Sequence, residues 1–356
     1  MFYSSPRLTL FELLKWCSTT TTELKAPDGY DHIYWCSSGA LCLGAICMKI
    51  SEEKKRRVNV YLPGYFCGQS LRYLRNLPVN LNFYALNESL LPNYTEFENT
   101  QNIDIFVHVH YFGQIAGQKK SSDFCKKHNA KLIEDCAHIM SPQLSHKWEG
   151  DYLIFSPHKH FPVPTVSLII SRDKCFSTET HEVEKFPIRW MLREALKKII
   201  PFKPNVRWKR IWNKSEEVIK FTKSNSKLEM VTSNYLENYL PNSILRKTNS
   251  MDLIELLTEI SDWSLLQKQD SLNCPYLVGM ICSSPKIAER RFSLLNQNMQ
   301  LVMQWPDLPT ELRDNPGLTE QCTSWLDRTL FFFNHQQLNT SRMNKKISKI
   351  IQNPGF

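Results

Sequence analysis

The stretch Leu132-Ile133-Glu134-Asp135-Cys136-Ala137-His138, followed by Gly150-Asp151-Tyr152-Leu153-Ile154-Phe155-Ser156-Pro157-His158-Lys159, decides how this chain is read. Its first part is a short apolar run that ends in two carboxylates and then a histidine, the pattern of a buried strand that delivers polar groups from its C-terminal end. A second apolar run, 152–155, ends in Ser156 and, shortly after, Lys159. An acid, a hydroxyl and an amine released from the ends of neighbouring strands form the set that holds pyridoxal phosphate. That cofactor takes from the protein a lysine and an acid paired with its ring nitrogen.

Working outward, the N-terminal side alternates strands and helices. Residues 8–16 carry Leu8, Leu10, Phe11, Leu13 and Leu14 at helical spacing, and 31–35 is a strand candidate. Directly after it Cys36-Ser37-Ser38-Gly39-Ala40 opens a helical run through 41–50. Small hydroxyl residues and a glycine at a helix start leave backbone N–H groups free for a phosphate, or simply cap the helix. A charged turn at 52–57, a strand at 58–62, a helix at 68–77, strands at 81–85 and 103–110, a helix at 121–128 and a strand at 131–134 follow. Strand 166–171 comes after the lysine. This alternation predicts a mostly parallel, doubly wound sheet with its functional groups at the strand C-termini.

The alternation stops beyond residue 181. Residues 182–238 are basic, Trp-bearing and helical in period, and are read as linking helices within a large domain spanning 1–238. Helices at 250–266, 287–297 and 339–351, with a strand at 274–281, predict a smaller α+β domain over 239–356.

The chain has 356 residues, 42% hydrophobic and 22% charged, an ordinary globular balance. No apolar run reaches the ~20 residues of a membrane helix, and the first residues lack the order of a secretory signal. Eleven cysteines with no C-x-x-C pair fit free thiols in a reducing compartment, so the expectation is a cytoplasmic protein without a structural metal. The net charge of +9 favours anionic ligands. Much of the excess lies between Lys185 and Lys220 with Trp190, Trp208 and Trp212. Such a segment can bind nucleic acid; the reading taken here is a solvated helix face anchored by tryptophan, with no nucleic-acid partner.

With these residues laid out, the chain resembles the DegT/DnrJ/EryC1/StrS family of pyridoxal-phosphate sugar aminotransferases, of the aspartate-aminotransferase fold. The matching elements occur in order: Ser37-Ser38-Gly39-Ala40-Leu41, Val60-Tyr61-Leu62-Pro63-Gly64-Tyr65, His110-Tyr111-Phe112-Gly113-Gln114, Ile133 to His138, and Gly150 to Ser156 with a lysine beyond. Trp305-Pro306-Asp307-Leu308-Pro309 and Asn334-His335-Gln336 follow near the end. The resemblance implies that Lys159 attaches the cofactor and then moves the proton, that Asp135 pairs with the ring nitrogen, and that His138 lies near the ring and its phenolic oxygen. It also implies that Ser37, Ser38, Gly39 and Ser156 hold the phosphate and that Tyr65 or Phe66 covers the ring face. The implied activity is transfer of an amino group from glutamate or glutamine to a keto sugar nucleotide or related metabolite, by a homodimer.

The sequence also departs from the family. Phe161-Pro162-Val163-Pro164-Thr165-Val166-Ser167 stands where members carry an acidic residue and two glycines, and no N-Y-R-M-like segment follows Ser171. Two other readings therefore stay open: a degenerate member that binds a ligand without turnover, and a sugar dehydratase of the same fold. Members with the dehydratase activity carry a histidine in place of the lysine.

Overall fold

A computed structural model of the chain describes residues 6–19, 23–97, 100–144, 146–174, 176, 182–183, 188–196, 222–223, 225–266, 274–297 and 301–352. In chain order its elements begin with α1 (Leu10–Ser18), β1 (His32–Cys36), α2 (Gly39–Lys54), β2 (Val58–Pro63), β3 (Val79–Tyr84), β4 (Ile105–Val109), α3 (Gln118–His128), β5 (Lys131–Cys136), β6 (Tyr152–Phe155) and β7 (Ser167–Ser171). They continue with β8 (Glu182–Val183), α4 (Ile188–Leu196), β9 (Thr222–Lys223), α5 (Ser226–Glu237), α6 (Leu240–Thr258), β10 (Trp263–Leu265), β11 (Leu277–Cys282), α7 (Pro285–Asn296), β12 (Val302–Met303), α8 (Pro316–Arg328), β13 (Thr329–Phe333) and α9 (Thr340–Ile351).

The first sheet runs β3-β2-β4-β5-β6-β7-β1-β9-β8. Strands β3, β2, β4, β5 and β6 pair in parallel, β7 is antiparallel to β6, and β1 is antiparallel to β7. The C-terminal ends of β1, β2, β4, β5 and β6 and the N-terminal end of β7 thus share one edge. Successive side chains of a strand point to opposite faces, and both faces here are covered. On β6, Ile154 packs with Ile46, Ile50 and Cys42 of α2, whereas Leu153 and Phe155 pack with Trp16, Trp148, Val231 and Tyr235. Each such fully buried aliphatic or aromatic side chain contributes about 1.5–3 kcal/mol. The continuous apolar runs of β6 and β7 follow from this double cover.

The second sheet, β10-β11-β13-β12, is antiparallel. Its Val278, Met280, Leu330 and Phe332 pack against Leu253 and Leu257 of α6, Leu295 of α7, and Met343 and Ile347 of α9.

Three local expectations are corrected. Helix α2 continues into the residues read as a charged turn, through Lys54, and is capped by Lys55, whose φ of 51° is left-handed. Residues 68–77 form two short 3₁₀ turns, Gly68–Leu71 and Leu74–Asn76, not one helix. A Cβ on Gly68 would meet the Leu308 carbonyl oxygen at 2.6 Å, so the docked 305–309 segment sets the local path. Helix α6 starts at Leu240, with Pro241 in its first turn where a missing N–H is harmless, and the end of the expected 250–266 helix is strand β10.

No described helix is long and apolar enough to cross a membrane. Most of the 185–220 segment, on which nucleic-acid binding was weighed, lies outside the described residues. Within 188–196, Trp190 stacks on Trp16 with ring centroids 6.3 Å apart.

Candidate active site

One edge of the large sheet gathers the candidate residues. Strand β5 carries Asp135 next to its last residue, Cys136, and leads to His138; β6 leads into Ser156 and the 3₁₀ turn Pro157–Lys159; β1 leads through Ser37 and Ser38 into α2. Functional groups collect at such an edge because strand C-termini and helix N-termini face it together.

Asp135 and Lys159 act on each other there. Burial raises the Asp135 carboxyl above its ordinary range, and the Lys159 charge works against that shift. Burial also lowers the Lys159 amine, opposed by Asp135 and then by the Cys67 thiol. Asp135 Oδ1 accepts from the Ala137 N–H at 3.0 Å, and the Lys159 N–H donates to the Ser156 carbonyl at 3.0 Å. Lowering the amine and raising the acid bring the two proton affinities closer together, which eases proton movement at the amine.

His138 is sandwiched. Its ring stacks between Phe112 (centroids 5.4 Å apart, planes 14° apart) and Tyr276 (4.8 Å, 16°), with Trp305 edge-on at 5.9 Å. The Phe112 N–H donates to His138 Nδ1 at 3.1 Å. Phe112 reaches this position with a φ of 54°, unusual for a bulky residue, and Gly113 follows at φ 95°. A side chain at 113 is excluded twice, by that φ and because its Cβ would lie 2.4 Å from the Cys274 carbonyl oxygen. The close approach docks residues 274–276, and the Tyr276 N–H donates to the Phe112 carbonyl at 2.9 Å. Burial, then the Lys159 charge, hold His138 well below the ordinary imidazole value.

A small hydroxyl-lined cradle lies at the start of α2. Ser38 caps the helix, accepting from the Leu41 N–H at 3.3 Å. A Cβ on Gly39 would lie 2.8 Å from Ser156 Oγ and 3.7 Å from Ser167 Oγ, and those two hydroxyls are 3.3 Å apart. Ser37 precedes the cap and is half-buried.

Tyr65 and Phe66, either of which was expected over a ring face, point into packed regions. Tyr65 stacks on Trp305 at 5.2 Å and shares a 3.3 Å hydrogen bond with Thr329 Oγ1. Phe66 is buried in the core beneath α2. The residues that sequence reasoning passed over are Tyr276, whose ring centroid is 5.8 Å from Lys159 Nζ, Cys67, which acts on Lys159, and Arg246, which contacts the next residue, His160. Tyr276 lay within the strand candidate 274–281, but nothing in its spacing distinguished it. On the other face of β5, Glu134 and His110 form a fully buried pair (Nε2 to Oε2, 2.7 Å), and Cys136 is near enough that the three could hold a metal ion. Both Glu134 oxygens are occupied, however: Oε2 by His110 and Oε1 by the N–H groups of Glu149 (2.7 Å) and Gly150 (2.6 Å).

No family model matches the sequence, and no curated protein matches it. Solved structures do match by shape. PseC of Helicobacter pylori, an aminotransferase of pseudoaminic acid biosynthesis, superposes with a TM-score of 0.70 at 13% identity over 99% of both chains. NtdA of Bacillus subtilis, crystallised with its cofactor PMP, gives 0.66 at 13% identity over 99% of this chain and 86% of that one. The E. coli GDP-4-keto-6-deoxy-D-mannose-3-dehydratase, crystallised with hydrated PLP, gives 0.66 at 12% identity over 91% and 88%. The chain therefore shares its fold, a large mostly parallel sheet with helices on both faces and a second, antiparallel sheet, with pyridoxal-phosphate-dependent aminotransferases and a sugar dehydratase.

Proposed function

We propose that this chain is a pyridoxal-phosphate-dependent aminotransferase similar to the DegT/DnrJ/EryC1/StrS enzymes. It would move an amino group from glutamate or glutamine to the keto group of a sugar nucleotide or related metabolite. The observation that carries the reading is the Asp135–Lys159 pair, an acid and an amine, both half-buried, that interact at the functional edge of the sheet, each pulling the other's pKa against desolvation.

The residues fit the cofactor. The Gly39 cradle keeps open a space that a Cβ would fill, and Ser156, Ser167 and the first N–H groups of α2 offer donors to a phosphate. When bound, the cofactor supplies an electron sink for bond breaking at the α-carbon of an amino acid. Asp135 would accept from the ring N–H and keep that nitrogen protonated. Lys159, its amine pulled toward the uncharged form, would attach the cofactor and hold and return the α-proton. His138 accepts from Phe112 at Nδ1 and so carries its proton on Nε2, where it would donate to the phenolic oxygen. The aromatic packing of Phe112, Trp305 and Tyr276 around it keeps water from that side. Division into domains at 238/239, a homodimer and a cytoplasmic location belong to the same proposal.

The segment 161–167, lacking the acidic residue and glycines, favours a second reading: a cofactor-binding chain without turnover. The purified chain incubated with pyridoxal phosphate separates the two. An absorption band that shifts on addition of glutamate supports the aminotransferase; a band that glutamate leaves unchanged supports binding alone. No band at all removes both.

A further inference from the structure

His160 follows Lys159 directly and is 0% exposed. Its Nδ1 lies 3.2 Å from Nη1 of Arg246, and its carbonyl oxygen accepts from Arg246 Nη2 and from Gln336 Nε2, each at 3.0 Å. A guanidinium offers only N–H donors and stays protonated, so His160 Nδ1 must act as the acceptor. A neutral imidazole that accepts at Nδ1 carries its single proton on Nε2. That buried N–H has no hydrogen-bond partner among the described residues.

The acceptors nearby are already engaged: Gln336 Oε1 takes Arg246 Nε at 2.9 Å, and the His160 carbonyl takes Arg246 and Gln336. His138 is in the same tautomer for the same reason, since the Phe112 N–H enters its Nδ1. The His138 and His160 rings lie 4.8 and 5.3 Å from the ring of Tyr276, whose face is 5.8 Å from Lys159 Nζ. Burial, then Arg246 and the neighbouring His138 and Lys159, keep His160 well below the ordinary imidazole value, which holds it neutral. Arg246 is itself 0% exposed. The ionisable groups that bear on it most are Cys274 and Tyr276, both held protonated by burial. Among the described residues no carboxylate lies within 4.0 Å of its guanidinium. A buried cation without a counter-charge, next to an unpartnered N–H, is costly in a chain left alone and favourable toward an anion.

We infer that His160 Nε2–H is a binding donor for a carboxylate of the amino-acid substrate beside Lys159, with Arg246 as the positioning residue that fixes its tautomer and supplies the compensating charge. This rests on the aminotransferase reading above. The imidazole passes the field of a cation that cannot itself reach solvent to the oxygen that needs it.

The test uses the full chain with ring-15N histidine, loaded with pyridoxal phosphate and titrated with glutarate, which has both carboxylates of glutamate and no amino group. Nuclear magnetic resonance should find His160 protonated at Nε2, with that resonance moving as glutarate binds. Calorimetry should find glutarate roughly ten- to a hundredfold weaker with His160→Phe, as for the loss of one hydrogen bond to a charged group. His160→Gln, which keeps an N–H, should restore most of the affinity. Arg246→Met should release the tautomer, which loss of packing alone would not do. A His160 protonated at Nδ1 in the wild type, or a His160→Phe chain that binds glutarate as well as the wild type, overturns the inference. If the chain takes up no cofactor, the aminotransferase reading fails on its own, and the His160 tautomer and its response to glutarate in the unloaded chain still decide this one.

Discussion

Two adjacent residues of β5 should respond to neutralisation in opposite ways. Glu134→Gln should cost about 1–3 kcal/mol of stability and leave cofactor binding intact. Asp135→Asn should leave stability level or slightly higher and weaken cofactor binding roughly ten- to a hundredfold. The Glu134 side chain is 0% exposed, and its carboxylate takes three hydrogen bonds, at 2.7, 2.6 and 2.7 Å, from Glu149 N–H, Gly150 N–H and His110 Nε2. The amide keeps the shape, because its oxygen retains both backbone donors and its NH₂ can donate to His110 once that ring shifts its proton to the unpartnered Nδ1. What it loses is charge assistance. A hydrogen bond to a charged group contributes about 1.5–3 kcal/mol against about 0.5–1.5 for a neutral one, so three bonds lose about 3, partly offset by the relieved desolvation of a buried anion. The Asp135 side chain, by contrast, has Ala137 N–H as its one described hydrogen-bond partner, and desolvation disfavours its charge more than Lys159 favours it, so neutralising it removes a cost.

The assay is urea denaturation of the unloaded chain at pH 7 and pH 4. Burial pushes the Glu134 carboxyl up, but the His110 hydrogen bond and charge and the Gly150 N–H outweigh it and leave the pKa below the ordinary 4.5. A depressed folded-state pKa stabilises fully above the unfolded value and is lost as pH falls through the folded one. The gap between wild type and Glu134→Gln should therefore be widest at neutral pH and shrink in acid. Equal midpoints at pH 7, or a gap that grows in acid, would refute this account of the strand.

Two further outcomes follow from the geometry. Gly39→Val sets a Cβ where Ser156 Oγ would be 2.8 Å away, so equilibrium dialysis should find cofactor binding at least roughly tenfold weaker, with circular dichroism unchanged. Asp104, which takes Lys54, both Nη groups of Arg56 and the Asn59 N–H at 2.6–2.8 Å, ties β2 to β4 at the edge away from the site. Burial raises its pKa, but Arg56 and Lys54 bring it below the ordinary 3.8, so Asp104→Asn should lower the urea midpoint at pH 7 and matter less below pH 4.

The parallel sheet was legible because each of its central strands is an apolar run bounded by polar residues, and because 132–138 and 152–159 place chemistry at the strand ends. Lys159, Asp135 and His138 stood out for the same reason. The helix boundaries around 52–57 and 240–258 were misplaced because a charged run and a proline are equally at home in a first or last helical turn. The β13 strand Thr329–Phe333 and helix α8 escaped notice because apolar runs that short fit either element. Arg246 and Tyr276 could not be found by spacing at all. Arg246 meets His160 across 86 positions of chain, and Tyr276 meets His138 only because Gly113 admits the Cys274 carbonyl. Tyr65 and Phe66 were expected over the cofactor only through the resemblance carried by the segment around Pro63-Gly64. The aromatic cluster of Tyr111, Trp305 and Trp325 that receives Tyr65 is assembled from distant segments.

The central claim is that Lys159 carries the cofactor at this sheet edge. The most direct measurement is borohydride reduction of the chain incubated with pyridoxal phosphate, followed by digestion and mass spectrometry of the modified peptide, beside a Lys159→Ala control. The account predicts stoichiometric label on Lys159 alone and none in the control. Label spread over surface lysines, or equal in both proteins, would contradict it.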